Sequence, residues 1–261
     1  MALMFFPDLR LNVQLDGPAD APPVVLLHGP GTDLRLWDGV VARMPLHRIL
    51  RMDMRGHGLS DVPPAPYAMG ALIHDAERVL AQEGMRDAVV VGSSIGGMIA
   101  QGLAVKRLDL VRGMVLSNSA ARIGIASQWQ AQIDAVRAGG MEAIADATLA
   151  RWLGRKWQDH PDLQAVRPML LATPPEGWMG AAAAIAGTDF YTPTAGLTLP
   201  TLAIAGINDG ATPPDLARET ADLILGSRFQ LIRGAGHLPM VEQPDAFTQA
   251  LRDFLESIGH V

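Results

Sequence analysis

The chain has 261 residues, a formal net charge of −6 and no cysteine. Apolar residues make up 49% and charged residues 18%, the balance of a folded chain with a large core and not of a disordered one. The lack of cysteine excludes disulfides, thiolate metal sites, iron–sulfur clusters and a cysteine nucleophile, and the acidic balance offers no broad basic field to nucleic acid. The length allows one large α/β domain or nearly two ordinary ones. Lys106 and Lys156 are the only lysines, so Schiff-base chemistry has few candidates. No apolar stretch approaches the roughly 18 residues of a membrane span. The apolar start at 1–6 lacks a basic leader and stops at Pro7-Asp8, so a cytoplasmic location is expected.

In chain order, short runs rich in Val, Ile and Leu end at turn residues. Residues 24–27 run into His28-Gly29-Pro30-Gly31, 49–53 into Arg55-Gly56-His57-Gly58, and 88–91 into Gly92-Ser93-Ser94. Residues 114–116 run into Ser117-Asn118-Ser119, 201–205 into Gly206-Ile207-Asn208-Asp209, and 229–232 into Gly234-Ala235-Gly236-His237. Continuous apolar runs predict strands buried on both faces of a mostly parallel sheet. Helical spacing over 70–82, 95–105, 215–225 and 245–258 fills the gaps, which predicts right-handed βαβ units with helices on both faces. The rhythm breaks from 120 to 198, where no strand is predicted. Helices over 128–137, 141–153 and 164–171, separated by loops such as Thr173-Pro174-Pro175-Glu176-Gly177, predict an α-helical cap at 120–198. It would be inserted into a core of 1–119 and 199–261, one continuous domain overall.

Gly92-Ser93-Ser94-Ile95-Gly96 follows a predicted strand and opens a predicted helix. The Gly-x-Ser-x-Gly spacing is that of a nucleophile elbow with Ser94 at its tip, where a sharp turn demands small residues on both flanks. Ser93 lacks those flanks. A serine nucleophile needs a base, and the base an orienting carboxylate. His237 follows the last predicted strand and Asp209 the one before it. Each alone reads as a structural residue. Together they give the order Ser94, Asp209, His237, each at the carboxyl end of a strand. The backbone N–H of Ile95 is the first expected oxyanion donor. The second normally comes from the residue after His28-Gly29, but Pro30 stands there and has no N–H. Either Gly31 supplies the amide or the hole is weak. The polar residues of 53–60 are read as ordering loops. No histidine spacing supports a metal, and no glycine pattern supports a dinucleotide cofactor.

With these motifs the chain resembles the α/β-hydrolases, and more narrowly the 3-oxoadipate enol-lactonases of aromatic catabolism by the β-ketoadipate pathway. The resemblance runs through Leu15-Asp16-Gly17-Pro18, Gly31-Thr32-Asp33-Leu34, Trp37-Asp38, Arg55-Gly56-His57-Gly58 and His237-Leu238-Pro239-Met240-Val241-Glu242-Gln243-Pro244. It continues into the cap through Ala121-Arg122-Ile123-Gly124, Val136-Arg137-Ala138-Gly139-Gly140-Met141 and Pro174-Pro175-Glu176-Gly177. It departs at 27–31, at Ser93 and at Ile95, which puts the oxyanion site and the acyl pocket in question. The resemblance implies a cofactor-free hydrolase that opens a small carboxylate-bearing enol-lactone with water. Ser94 would be the nucleophile, His237 the base and Asp209 its orienting partner. A covalent acyl-enzyme and direct attack by water both remain open. Arg122 would grip the substrate carboxylate or else bridge cap and core, and Trp129 and Trp152 would wall the pocket or else form cap core. The alternatives are a general carboxylesterase, a cofactor-free perhydrolase or haloperoxidase, and a non-catalytic binding protein.

Overall fold

A computed structural model describes residues 2–153, 160 and 163–261. Lys156 and the rest of 154–159, with 161–162, belong to the predicted cap and lie outside the described residues. The strands are β1 (Ala2–Phe5), β2 (Arg10–Asp16), β3 (Pro23–Leu27), β4 (Arg48–Met52), β5 (Ala88–Ser93), β6 (Val111–Ser117), β7 (Thr201–Gly206) and β8 (Arg228–Ile232). They form one sheet in the order β1-β2-β4-β3-β5-β6-β7-β8. β3, β4, β5, β6, β7 and β8 run parallel, while β2 pairs antiparallel with both β1 and β4.

The six strands read from apolar runs are all present, each within a few residues of its expected bounds. β1 and β2 were not expected. β2 reads Arg-Leu-Asn-Val-Gln-Leu-Asp, in which apolar and polar residues alternate, so it lacks the continuous apolar run of its neighbours. β8 also departs from expectation. It lies at the sheet edge, and Leu231 is 39% exposed, so it is not buried on both faces. At the centre, Val89, Val90 and Val91 of β5 are fully buried. Each such side chain contributes about 1.5–3 kcal/mol of transfer free energy.

The helices are α1 (Asp38–Val41), α2 (Met69–Gln82), α3 (Ile95–Lys106), α4 (Ala126–Gly139), α5 (Glu142–Trp152), α6 (Leu163–Ala172), α7 (Pro175–Ala186), α8 (Tyr191–Ala195), α9 (Pro214–Asp222), α10 (Pro239–Glu242) and α11 (Pro244–Ser257). α3 is buried almost all round, from Ile95 to Ala104, as befits a helix leaving the central strand. α4, α5, α6, α7 and α8 lie between β6 and β7. α7 corrects the loop expected at 173–177. Its helix begins at Pro175, where proline's missing N–H costs nothing, and continues through the strong helix formers Ala181, Ala182, Ala183 and Ala184. Among the described residues, no helix is long and apolar enough to cross a membrane.

The parallel strands all end on one side. Ser94 follows β5, Asp209 lies three residues past β7, and His237 lies five past β8. Ligands of open α/β sheets bind at these carboxyl ends.

Candidate active site

Ser94 sits at φ 54°, ψ −118°, a left-handed conformation uncommon outside glycine. It caps α3 and lifts its side chain clear of the strand. A Cβ on Gly92 would collide with the backbone of Gly96, and one on Gly96 with the backbone of Leu27. The small flanks read in the sequence are therefore a steric requirement of the turn. Ser119 Oγ donates to the Ser94 carbonyl at 2.6 Å and pins the turn to the end of β6. Ser93 is fully buried and its hydroxyl has no partner among the described residues. It ends β5, paired with Ser117 in the sheet and not in the cavity wall.

The Asp209 carboxylate is saturated. Its Oδ2 accepts from His237 Nδ1 at 2.8 Å and from Asn118 Nδ2 at 2.7 Å. Its Oδ1 accepts from the N–H groups of Ala211 at 2.7 Å and Thr212 at 3.0 Å. With Nδ1 donating to the carboxylate, the imidazole keeps Nε2 as an acceptor. Ser94 and His237 line the same cavity. Among the described residues, no hydrogen bond joins Ser94 Oγ to the ring, a contact that is often long in ligand-free sites.

Two residues that the sequence reading passed over hold this pair in place. Asn118, at φ 50°, donates to both Asp209 and the Gly236 carbonyl, the latter at 3.0 Å, and so ties the acid loop to the base loop. Glu242 is buried on α10 and accepts from the N–H of Gly236 at 2.9 Å and of Leu238 at 3.1 Å, bracketing His237 on both sides. The available signal for Asn118 was a polar triplet closing a strand, which reads equally well as a plain turn. Glu242 stands in the resembling segment 237–244, but a carboxylate in a helix usually faces water, so no role is legible for it.

The cavity measures about 50 Å³. Trp129 and Trp152 both line it, with Pro30, Trp178, Thr148 and Thr212. The Trp152 ring stacks on His237, with centroids 5.8 Å apart and planes 23° from parallel. The Trp152 carbonyl also accepts the His237 N–H, and the Arg151 carbonyl accepts the Gly210 N–H at 2.9 Å. The last turn of α5 thus grips both the base loop and the acid loop. Trp129 donates its indole N–H to the Ile123 carbonyl at 2.7 Å.

Two expectations are corrected. Arg122 is not in the cavity wall. It is half-exposed and lies 3.7 Å from Asp189, so its guanidinium faces a surface carboxylate. Gly31 donates its N–H to His57 Nε2 at 3.1 Å, so that amide is committed to loop structure. Ile95 is the first residue of α3, and its N–H is one of the helix's unsatisfied donors. Among the described residues, no group of three or more His, Asp or Glu could hold a metal.

The loop after β3 is set by two buried histidines. His28 accepts the Met54 N–H at 2.9 Å and donates to the Gly29 carbonyl at 2.8 Å, and His57 accepts from Gly31 and donates to the Arg55 carbonyl at 3.2 Å. Burial pushes His28 down to about 4, and burial with the neighbouring His28 pushes His57 down to about 3. In the unfolded chain both take up a proton near about 6.5, so between that pH and the folded values the unfolded state binds more protons. The stabilisation is complete above about pH 6.5 and is lost as the pH falls towards 4, on the order of a few kcal/mol for the pair. Urea midpoints should fall between pH 7.5 and pH 5, where most carboxylates are still ionised. Equal midpoints would show that these rings do not govern the loop.

The family model for the alpha/beta hydrolase family matches residues 24–250. The 3-oxoadipate enol-lactonase 1 of Acinetobacter baylyi is 32% identical over 251 residues, covering 95% of this chain and 94% of that protein. The crystal structure of the enol-lactonase from Burkholderia xenovorans superimposes with a TM-score of 0.94 at 33% identity, covering 98% of this chain and all of that one (100%). A thermophilic esterase from Thermogutta terrifontis, solved with malate bound, gives 0.90 at 31% identity, covering 97% and 95%.

Proposed function

The chain belongs to the alpha/beta hydrolase family, and from that premise we propose that it opens a small carboxylate-bearing enol-lactone, 3-oxoadipate enol-lactone, to the open-chain keto acid. The observation that carries this reading is the saturated Asp209 carboxylate bonded to His237 Nδ1, with His237 and Ser94 lining one cavity. The likeness to two enol-lactonases favours the lactone, and the malate in the similar esterase is a dicarboxylate of comparable size. The helices α4 to α8 act as the cap over this cavity.

In this mechanism His237 Nε2 takes the proton of Ser94 Oγ as the oxygen attacks the lactone carbonyl. The tetrahedral oxyanion is met by the Ile95 N–H at the start of α3, where the helix dipole adds to the donor. Collapse breaks the ring C–O bond. The leaving enolate takes the proton from His237 and tautomerises to the ketone. Water then attacks the acyl-Ser94 ester, giving its proton to His237, and the second collapse returns that proton to Ser94 and frees the acid. Asp209 holds the ring tautomer and stabilises the imidazolium in both halves. With Pro30 lacking an N–H and the Gly31 amide bonded to His57, the Ile95 amide is the principal oxyanion donor.

Turnover of 3-oxoadipate enol-lactone, 4-nitrophenyl acetate and a peroxide-dependent halogenation substrate, measured side by side, tests the assignment. The lactone should give the highest kcat/KM. A faster acetate ester would make the protein a general carboxylesterase, and peroxide-dependent halogenation a perhydrolase. Binding of the lactone without turnover would leave only a binding role.

A further inference from the structure

The cavity wall holds polar side chains for which the reaction just described has no use. We propose that Arg151, with Thr148 and Gln132 beside it, forms a subsite that takes a carboxylate of the substrate and makes the site selective for acid-bearing lactones and esters. The inference rests on the ester and lactone reading above and names the residues that set its substrate class.

Thr148 and Arg151 lie three residues apart on α5 and so share one helix face. Both line the cavity, as does Gln132 on α4. Arg151 Nη2 donates to Gln132 Oε1 at 3.0 Å, a bond between two residues of the cavity lining. A guanidinium has five N–H donors, and this bond uses one. Among the described residues, no carboxylate pairs with Arg151. Arg122, the expected anchor, already faces Asp189. Among the described residues, those lining the cavity include Arg151 and His237 but no Asp or Glu, although the chain as a whole carries a net charge of −6.

The second observation is Thr148 itself. It is 3% exposed, and its Oγ1 is buried without a hydrogen-bond partner among the described residues. Leaving such a hydroxyl unpaired is unfavourable, so a ligand oxygen beside it would recover a bond the fold leaves unmade. A carboxylate fits both neighbours. One oxygen would accept from the planar guanidinium fork and the other from the hydroxyl. The position is also fixed relative to the reacting groups. The Arg151 carbonyl holds Gly210 beside Asp209, and the next residue, Trp152, stacks on His237. One turn of helix therefore carries both the anion contact and the packing of the base.

Two 4-nitrophenyl esters of adipic acid test this: 4-nitrophenyl hydrogen adipate and the neutral methyl 4-nitrophenyl adipate, compared in wild type, Arg151→Gln and Arg151→Lys. Wild type should prefer the acid. Arg151→Gln should lower the acid-to-neutral ratio of kcat/KM by about 10- to 100-fold, chiefly through KM for the acid, and Arg151→Lys should keep part of it. An unchanged ratio, or equal losses on both esters, would overturn the subsite. Adipate binding by calorimetry gives an arm that needs no turnover. Wild type should bind it, and Arg151→Gln and Thr148→Val should bind it more weakly. If neither ester is hydrolysed, the hydrolase reading falls while adipate binding still decides the subsite. No adipate binding to wild type, or equal binding to all three proteins, would reject it.

Discussion

Ser94→Ala will lower kcat for any ester or lactone substrate by about 10⁴- to 10⁶-fold and leave the protein folded. The size follows from the part assigned to the hydroxyl. Without Oγ there is no covalent route, and what remains is the rate a bound substrate owes to the Ile95 amide and to its orientation. Stability should change little, because alanine accepts the same turn and, among the described residues, Oγ has no hydrogen bond to lose. Initial rates on the wild-type substrate and a thermal melt of both proteins check the two halves separately. A serine-directed phosphonate should add its mass to wild type at Ser94 and fail to do so in the variant. Turnover within tenfold of wild type would show that water attacks directly or that the nucleophile lies elsewhere.

What could be read from the sequence followed from how local each signal is. The elbow was legible because its chemistry and its sterics sit in five consecutive residues: Gly92 and Gly96 are small because backbone occupies the space where their Cβ would be. Asp209 and His237 were legible as positions at strand ends, although their 2.8 Å bond spans 28 residues. Asn118 and Glu242 were not. Their work is to bond backbone or carboxylate across loops that only the folded sheet brings together, and nothing in their immediate neighbours marks it. That Arg122 stands outside the cavity lining, and Arg151 within it, is illegible for the same reason. Arg122 stands in a segment resembling the lactonases, while Arg151 is one more arginine on a helix until α4 and α5 pack against the cavity. β1 and β2 are not legible as apolar runs, because β2 alternates apolar with polar residues.

Asp209→Asn will lower kcat by about 10⁴-fold, and by more than the loss of Asn118 beside the carboxylate. The reason lies in its four donors. Oδ2 receives His237 Nδ1 and Asn118 Nδ2, and Oδ1 receives the amides of Ala211 and Thr212. An asparagine has one oxygen and one NH₂, so it must turn a donor towards one of these pairs. If NH₂ faces Ala211 and Thr212, two buried backbone donors lose their acceptor, at about 1–3 kcal/mol for each unpaired group. If NH₂ faces His237, the imidazole keeps that bond only by moving its proton to Nε2, and the nitrogen turned towards Ser94 can no longer act as a base. Asn118 aggravates this second case, since its own NH₂ would then oppose another donor. Asn118→Ala should therefore cost activity too, but by only about tenfold, because Asp209 keeps its three other donors. Steady-state kinetics with urea unfolding on both variants separates the outcomes. A fall in kcat well beyond the fall in stability supports the tautomer argument for Asp209→Asn. A loss under tenfold would mean that His237 is oriented mainly by Glu242, Trp152 and the base loop, and that the Asp209 charge does little in the reaction.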